Sequence, residues 1–334
     1  MLNGIQFGRG IAAIMVVVYH LSRLYEQSYG QFPFGRFTEV GHIGVDFFFV
    51  LSGFIILYAH SSDIEKPKQL RSYLVKRFSR VYPFFWVSIC LFLILISVSS
   101  SKELPTFSQF FINLTLFPYK EYLVVGVGWT LQHEITFYLL FSTLIINRKL
   151  GTVILVSWFI SLLYFNFFSS HYPGTPVIFS SFNLQFLMGM AICILSRHNI
   201  KSNIIFLTSA IIILISVCAL ELTGVLNGHS PEARVYYGLS FAFILFAIVN
   251  NESHFNKPPK LLLELGQSSY AIYLLHYFFG GILFKLFEVT KVNELLPIWL
   301  SAITLLSITV ACSHYTSKKI EIPLSKFVRK KLSK

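Results

Sequence analysis

The chain has 334 residues with a formal net charge of +12; 54% of its residues are hydrophobic and only 13% are charged. A soluble domain carries roughly twice that charged fraction, about 25%. The composition therefore excludes an ordinary soluble globular domain and predicts a polytopic membrane protein.

Hydrophobic segments follow one another along nearly the whole chain. Several are shorter than the ~20 residues usual for a membrane span, so their edges are approximate. We predict an all-α polytopic membrane protein of about ten transmembrane helices, folded as one membrane-embedded domain over residues 1–334 with no separate soluble domain. The segments lie near 4–22, 44–60, 81–100, 129–147, 150–168, 177–195, 204–222, 235–250, 269–288 and 296–316.

The positive charge follows the predicted topology. When both termini are assigned to the cytoplasm, most of the 27 Lys and Arg residues fall in the inner loops and the C-terminal tail, and Arg234 is counted in an outer loop. This distribution is the positive-inside bias of membrane proteins, so we expect the lipid bilayer, and no nucleic acid, as a partner.

The first segment contains a polar track. Arg9 and His20 are eleven residues apart, which on a helix places them ~20° apart on one face and ~16 Å apart along the axis. A cation within a spanning helix costs about 2.5–3.5 kcal/mol on the insertion scale, so it must face protein or water. We predict a functional site along this face, although His20 alone is also compatible with a structural core histidine.

Two acidic residues are expected near the outer level of His20. Asp46 opens the second segment, and Glu134 lies early in the fourth, beside Trp129 and His133. Convergence of ionisable side chains from several helices is typical of a membrane active site or proton relay. Asp46 is also compatible with simple stabilisation of a helix N-terminus.

Basic residues precede the third segment on the cytoplasmic side. Arg77 and Arg80 have i, i+3 spacing and share a helical face. Arginines so placed bind phosphate groups well, which indicates a phosphate-bearing ligand from the cytoplasm; topogenic charge is the alternative. His276, in the ninth segment, has no partner that the sequence identifies.

Several chemistries are not indicated. The sequence HEITF (133–137) lacks the second histidine of HExxH, and the four cysteines show no CxxC spacing, so we expect no metal site. P-loop and GxSxG motifs are absent from the sequence.

Five motifs in order resemble the acyltransferase-3 family of integral membrane acyltransferases. They are Arg9-x10-His20, GVDFFFVLSGFII (44–56), KRFSRVYP (76–83), GWTLQHEITFYLLF (128–141) and SSYAIYLLHYFF (268–279). The chain departs from the family where Gln6 stands in place of an Asp close to Arg9, and where Thr130 replaces Ser.

The resemblance implies O-acetyl transfer from cytoplasmic acetyl-CoA, with no metal, to a sugar hydroxyl of a lipid-linked cell-surface polysaccharide. The size resembles that of short O-antigen acetyltransferases, which implies lipopolysaccharide O-antigen and the bacterial inner membrane.

Site roles follow from this reading. Arg77 and Arg80 would hold the donor phosphates, and Arg9 would guide the acyl arm. His20 would act as general base, or as the nucleophile of an acyl-histidine intermediate, with Asp46 or Glu134 fixing its tautomer. Trp129, His133 and His276 are possible accessory residues. The alternative function is a proton-coupled transporter that uses the same buried ionisable groups.

Overall fold

The computed structural model describes residues 3–99, 103–119, 123–169, 176–198, 204–251 and 259–333. Within these ranges every regular element is helical. The helices are α1 (Asn3–Tyr29), α2 (Gly44–His60), α3 (Leu70–Ser99), α4 (Phe107–Thr115), α5 (Trp129–Ile146), α6 (Arg148–Leu163), α7 (Pro176–Phe179), α8 (Phe182–Leu195), α9 (Ile204–Leu222), α10 (Pro231–Asn250), α11 (Lys260–Gln267), α12 (Ser269–Val289), α13 (Val292–Leu295), α14 (Ile298–Thr316) and α15 (Ile322–Leu332).

The prediction of an all-α polytopic membrane protein is confirmed. Eight helical stretches in the described residues are long and apolar enough to cross a membrane, and α8 is a shorter apolar helix. Each of the ten predicted segments corresponds to a helix, but α5 and α8 are not among those eight. The count of ten spans and the cytoplasmic location of the termini stay predictions.

Helix α1 packs between an antiparallel and a parallel neighbour. Gly41 lies against the backbone of Met15, and Gly44 lies against that of Ala12, so the chain leading into α2 returns antiparallel to α1. Helix α12 runs parallel to α1. Arg9 contacts Ser269 near the start of both helices, and contacts farther along α1 are made with residues farther along α12. The parallel packing agrees with the topology in which both helices run outward.

Helices α2 and α8 cross in very close contact. A Cβ atom on Gly53 would lie under 3.0 Å from the carbonyl oxygen of Phe186, and one on Gly189 would lie equally close to that of Val50. Glycine therefore permits direct backbone approach here, as small residues do between membrane helices. This crossing holds α2, which carries Asp46, against α8, which carries Gln185.

The C-terminal helix extends beyond the last apolar segment. A π-helical turn over Ser317–Glu321 joins α14 to α15. Ser325 of α15 donates a hydrogen bond to the backbone carbonyl of Ser79 in α3, at 2.7 Å. Helix α15 is thus fixed beside the basic start of α3.

Candidate active site

A cavity of about 520 Å³ opens among α1, α2, α3, α5, α12 and α15. Its lining is strongly basic, with Glu134 as the acidic residue among those described. The basic residues that line it are Arg9, Lys76, Arg77, Arg80 and Arg329. A cavity with this excess of positive charge is suited to an anionic ligand such as a phosphate ester.

Arg9 is held by α12. Its Nε and Nη2 atoms both donate to the hydroxyl oxygen of Ser269, at 3.1 and 2.8 Å. The partner is a neutral hydroxyl, and no described carboxylate forms an ion pair with Arg9, so its guanidinium stays available to an anion or a polarised carbonyl in the cavity. In this chain Gln6 stands where the family usually has an Asp close to the arginine, and Ser269 is the residue that binds the Arg9 guanidinium.

Arg77 ends a chain of three polar side chains at the cavity wall. In the neutral ring, His60 donates from Nδ1 to Asp63 at 2.7 Å and accepts at Nε2 from Arg77 Nη2 at 2.9 Å. The buried Nε of Arg77 has no hydrogen-bond partner within the described part of the chain. A buried donor without a partner is costly, and a phosphate oxygen is a suitable acceptor for it.

Arg80 differs from Arg77 because it already pairs with a carboxylate. Its Nη1 donates to Glu321 Oε1 at 3.3 Å, and Glu321 also accepts from Ser317 at 2.6 Å. The guanidinium lies 5.3 Å from the ring centre of Tyr270. Arg80 thus lines the cavity while its charge is partly neutralised by Glu321, in the turn that leads to α15.

Glu134 faces the cavity and accepts a very short hydrogen bond from the hydroxyl of Tyr138, one helical turn later. The structure thus brings four of the predicted residues into one cavity: Arg9, Arg77, Arg80 and Glu134. His20, Asp46, Trp129, His133 and His276 are not among the lining residues.

His20 contacts His276 of α12. His276 Nδ1 lies 2.7 Å from the carbonyl oxygen of Tyr273, so this nitrogen carries a hydrogen, and in the neutral ring Nε2 carries the lone pair. His20 Nδ1 lies 2.9 Å from the carbonyl oxygen of Val16 and 3.1 Å from His276 Nε2. Both neighbours are acceptors, so His20 Nδ1 is the N–H, and its Nε2 is left with the basic lone pair.

This arrangement differs from the expected contact between His20 and a carboxylate. Among the described residues, the hydrogen bonds place neither Asp46 nor Glu134 on the His20 ring. The reason is that α12 lies parallel to α1 and presents His276 at the level of His20. A neutral histidine and a backbone carbonyl therefore fix the tautomer, a task that the sequence analysis assigned to a carboxylate.

Asp46 belongs to a buried ion pair. Arg234 Nη1 donates to Asp46 Oδ2 at 2.7 Å, and Gln185 donates a very short hydrogen bond to the other carboxylate oxygen. Both charged side chains are almost fully buried. Counting Arg234 as a charge in an outer loop was wrong, because it lies in the first turns of α10 and faces the protein interior.

Trp129 and His133 lie in an aromatic cluster between α5 and α8. His133 Nδ1 donates to the side-chain oxygen of Asn183 at 2.9 Å, and the Trp129 ring packs edge-on against His133. Asn183 in turn donates to two backbone carbonyls in the segment before α8. These contacts give His133 a structural role in joining the two helices.

A second polar cluster was not found by sequence reasoning. Glu221 accepts from His42 Nε2 at 2.8 Å and from the Tyr237 hydroxyl at 2.5 Å. The Tyr19 ring packs edge-on against both His20 and His42. Glu221 ends an apolar segment, and only the fold shows that it meets His42, 179 positions away.

Comparisons with known proteins identify the family. A family model described as an acyltransferase domain matches residues 2–316. The peptidoglycan O-acetyltransferase OatA of Listeria monocytogenes is 26% identical over 95% of this chain and 55% of its own length. Protein 2 in the picA locus of Rhizobium radiobacter is 30% identical over 27% of this chain and 42% of its own length.

The chain thus spans about half the length of these curated relatives, and no solved structure matches it. The family match favours an enzyme over the transporter alternative. The family match covers nearly the whole chain, and the apolar helices fit a multi-pass membrane protein, so the chain belongs to the acyltransferase-3 family.

Proposed function

We propose that this protein transfers an acetyl group from cytoplasmic acetyl-CoA to a sugar hydroxyl of a lipid-linked cell-surface polysaccharide, the lipopolysaccharide O-antigen, in a bacterial inner membrane. The observation that carries the proposal is the basic cavity, which joins Arg9, Arg77 and Arg80 in one space. Similarity to a peptidoglycan O-acetyltransferase supports an acetyl donor and a glycan acceptor.

The cavity suits a donor that is anionic at one end and neutral at the other. Coenzyme A carries its phosphates on the nucleotide half and its thioester at the end of a long neutral arm. Arg77, with its unpartnered buried Nε, and Arg80 bind the phosphates. Arg9, fixed by Ser269, lies on the same helix as His20 and guides the arm toward it.

The reaction is a direct acetyl transfer. His20 Nε2 takes the proton from the sugar hydroxyl as its oxygen attacks the thioester carbonyl, and the tetrahedral intermediate then collapses. The C–S bond breaks, and the CoA thiolate leaves and receives the proton from the imidazolium. The same nitrogen is the nucleophile in the acyl-histidine variant of the mechanism.

Tyr273 lines the cavity and His276 follows it by three residues, so α12 connects the donor cavity to the histidine pair. The catalytic role of Glu134 stays a prediction that rests on its position in the cavity. Asp46 acts on the site through α2, α8 and α10, which its ion pair with Arg234 holds together.

The test is mass spectrometry of envelope polysaccharide from a smooth Gram-negative host with and without the gene, before and after mild alkali. An acetyl mass increment that is removed by alkali is expected only with the gene. His20→Ala should lower the rate by about 10²–10⁴ at equal membrane abundance. Normal acetylation by that variant would exclude His20 as the base.

If wild-type cells show no increment, binding of CoA to the purified protein separates two explanations. Binding without acetylation indicates that the host lacks the acceptor glycan. Absence of both rejects the proposed donor.

A further inference from the structure

Helix α15 follows the part of the chain that the family model matches, which ends at residue 316. It nevertheless forms part of the cavity wall through Ile322, Ser325 and Arg329. Their spacing of three and four residues places them on one helical face. The contact of this face with α3 is fixed by the hydrogen bond from Ser325 to the Ser79 carbonyl.

The basic residues around the cavity are not equally neutralised. Arg80 pairs with Glu321, whereas Lys76 and Arg329 form no ion pair with any described residue. Arg329 is exposed at the cavity wall, and Lys76 lies one residue before Arg77 on α3. Two unpaired cations from different helices therefore border the same opening.

We propose that α15 supplies Arg329 as a further donor-binding residue, which forms with Lys76 a phosphate subsite at the cavity mouth. The proposal rests on the proposed function, since the ligand is a phosphate group of coenzyme A. Arg77 and Arg80 bind one part of this polyanion, and the half-buried Lys76 with the exposed Arg329 binds phosphate nearer the cytoplasm. Positive charge at an opening also attracts the anionic donor from solution.

Anionic lipid headgroups carry the same phosphate chemistry and are the other source to distinguish. Helix α15 also carries Lys330, which is exposed but does not line the cavity. A lipid contact would use the basic residues of α15 without regard to the cavity. The donor contact requires Arg329 in particular.

The experiment measures binding of coenzyme A, and of adenosine 3′,5′-bisphosphate as a probe without the acyl arm, to the purified full chain. Wild type, Arg329→Gln, Arg329→Glu and the control Lys330→Gln are compared in neutral phosphatidylcholine nanodiscs and in nanodiscs that contain phosphatidylglycerol. We expect Arg329→Gln to weaken binding of both probes roughly fivefold, as for a partly exposed charge pair. Arg329→Glu should weaken it further, and Lys330→Gln should leave it unchanged.

Equal affinity of wild type and Arg329→Gln for coenzyme A in neutral nanodiscs would overturn this inference and leave the proposed function intact. A loss of affinity that Arg329→Gln shows only in nanodiscs with phosphatidylglycerol would assign Arg329 to lipid. A loss that Lys330→Gln shows equally would assign the effect to the general charge of α15. Either result would also overturn the inference. Wild-type protein that binds neither probe would reject both the subsite and the proposed donor.

Discussion

His276 Nε2 lies 3.1 Å from His20 Nδ1 and connects the first and the ninth predicted segments of the chain. The parallel course of α1 and α12 makes this contact possible, and the packing continues toward the C-terminal ends of both helices, where Tyr25 contacts Phe284. Because both neighbours of His20 Nδ1 are acceptors, His20 Nδ1 carries the hydrogen and His20 Nε2 carries the lone pair. We therefore expect His276 to act as a positioning residue for the proposed base.

The first prediction concerns that positioning. His276→Leu removes one acceptor of the His20 N–H, so the ring rotates or changes tautomer more freely; the Val16 carbonyl remains as the second acceptor. We expect kcat to fall about tenfold, with the KM for acetyl-CoA unchanged. His276→Gln should recover part of kcat, because its side-chain oxygen can accept the same hydrogen bond.

Initial rates with radiolabelled acetyl-CoA in isolated membranes, normalised to protein abundance, provide the measurement. If Leu and Gln at position 276 gave the same kcat, hydrogen bonding to His20 would not be the function of His276.

The second prediction tests whether Asp46 stabilises the fold or takes part directly in the reaction. Asp46→Asn leaves the Arg234 guanidinium buried without its counter-charge, and breaking a buried pair costs about 3–5 kcal/mol. We expect a clear loss of folded protein in thermal unfolding of the detergent-purified chain. Asp46→Leu combined with Arg234→Met should recover much of it, because no unpaired charge is then buried.

Exposed Arg36, which pairs with Glu39, provides the control, and Arg36→Gln should change the unfolding temperature little. Asp46→Asn protein of wild-type stability but without activity would instead give Asp46 a direct part in the reaction.

The third prediction distinguishes the two arginines of α3. Arg77 contributes an unpartnered buried donor, whereas Arg80 is partly neutralised by Glu321. Charged hydrogen bonds contribute about 1.5–3 kcal/mol, so Arg77→Gln should raise the KM for acetyl-CoA by about 10- to 100-fold. Arg80→Gln should have the smaller effect. Steady-state kinetics over a range of donor concentrations measures both, and the reverse order would contradict this account of the cavity.

Sequence patterns predicted the fold class and the basic face of α3 because both depend on local features. Apolar runs predict helices, and the i, i+3 spacing of Arg77 and Arg80 places both on one face of α3. Partners across the fold were not predictable in the same way. Asp46 meets Arg234 across 188 positions and His20 meets His276 across 256, and no local periodicity encodes which helices become neighbours.

The last prediction tests the crossing of α2 and α8. Gly53→Ala places a Cβ atom against the carbonyl oxygen of Phe186, under 3.0 Å away, so the two backbones must separate. Overpacking of this kind costs about 1–3 kcal/mol, and the separation also strains the Gln185–Asp46 hydrogen bond. Gly281→Ala is the matched control, because a Cβ atom there meets nothing within 4 Å and alanine favours the helix.

Thermal unfolding of both purified variants should show a lower midpoint for Gly53→Ala and an equal or higher one for Gly281→Ala. An unchanged midpoint and activity for Gly53→Ala would show that the two helices do not require backbone contact at this point.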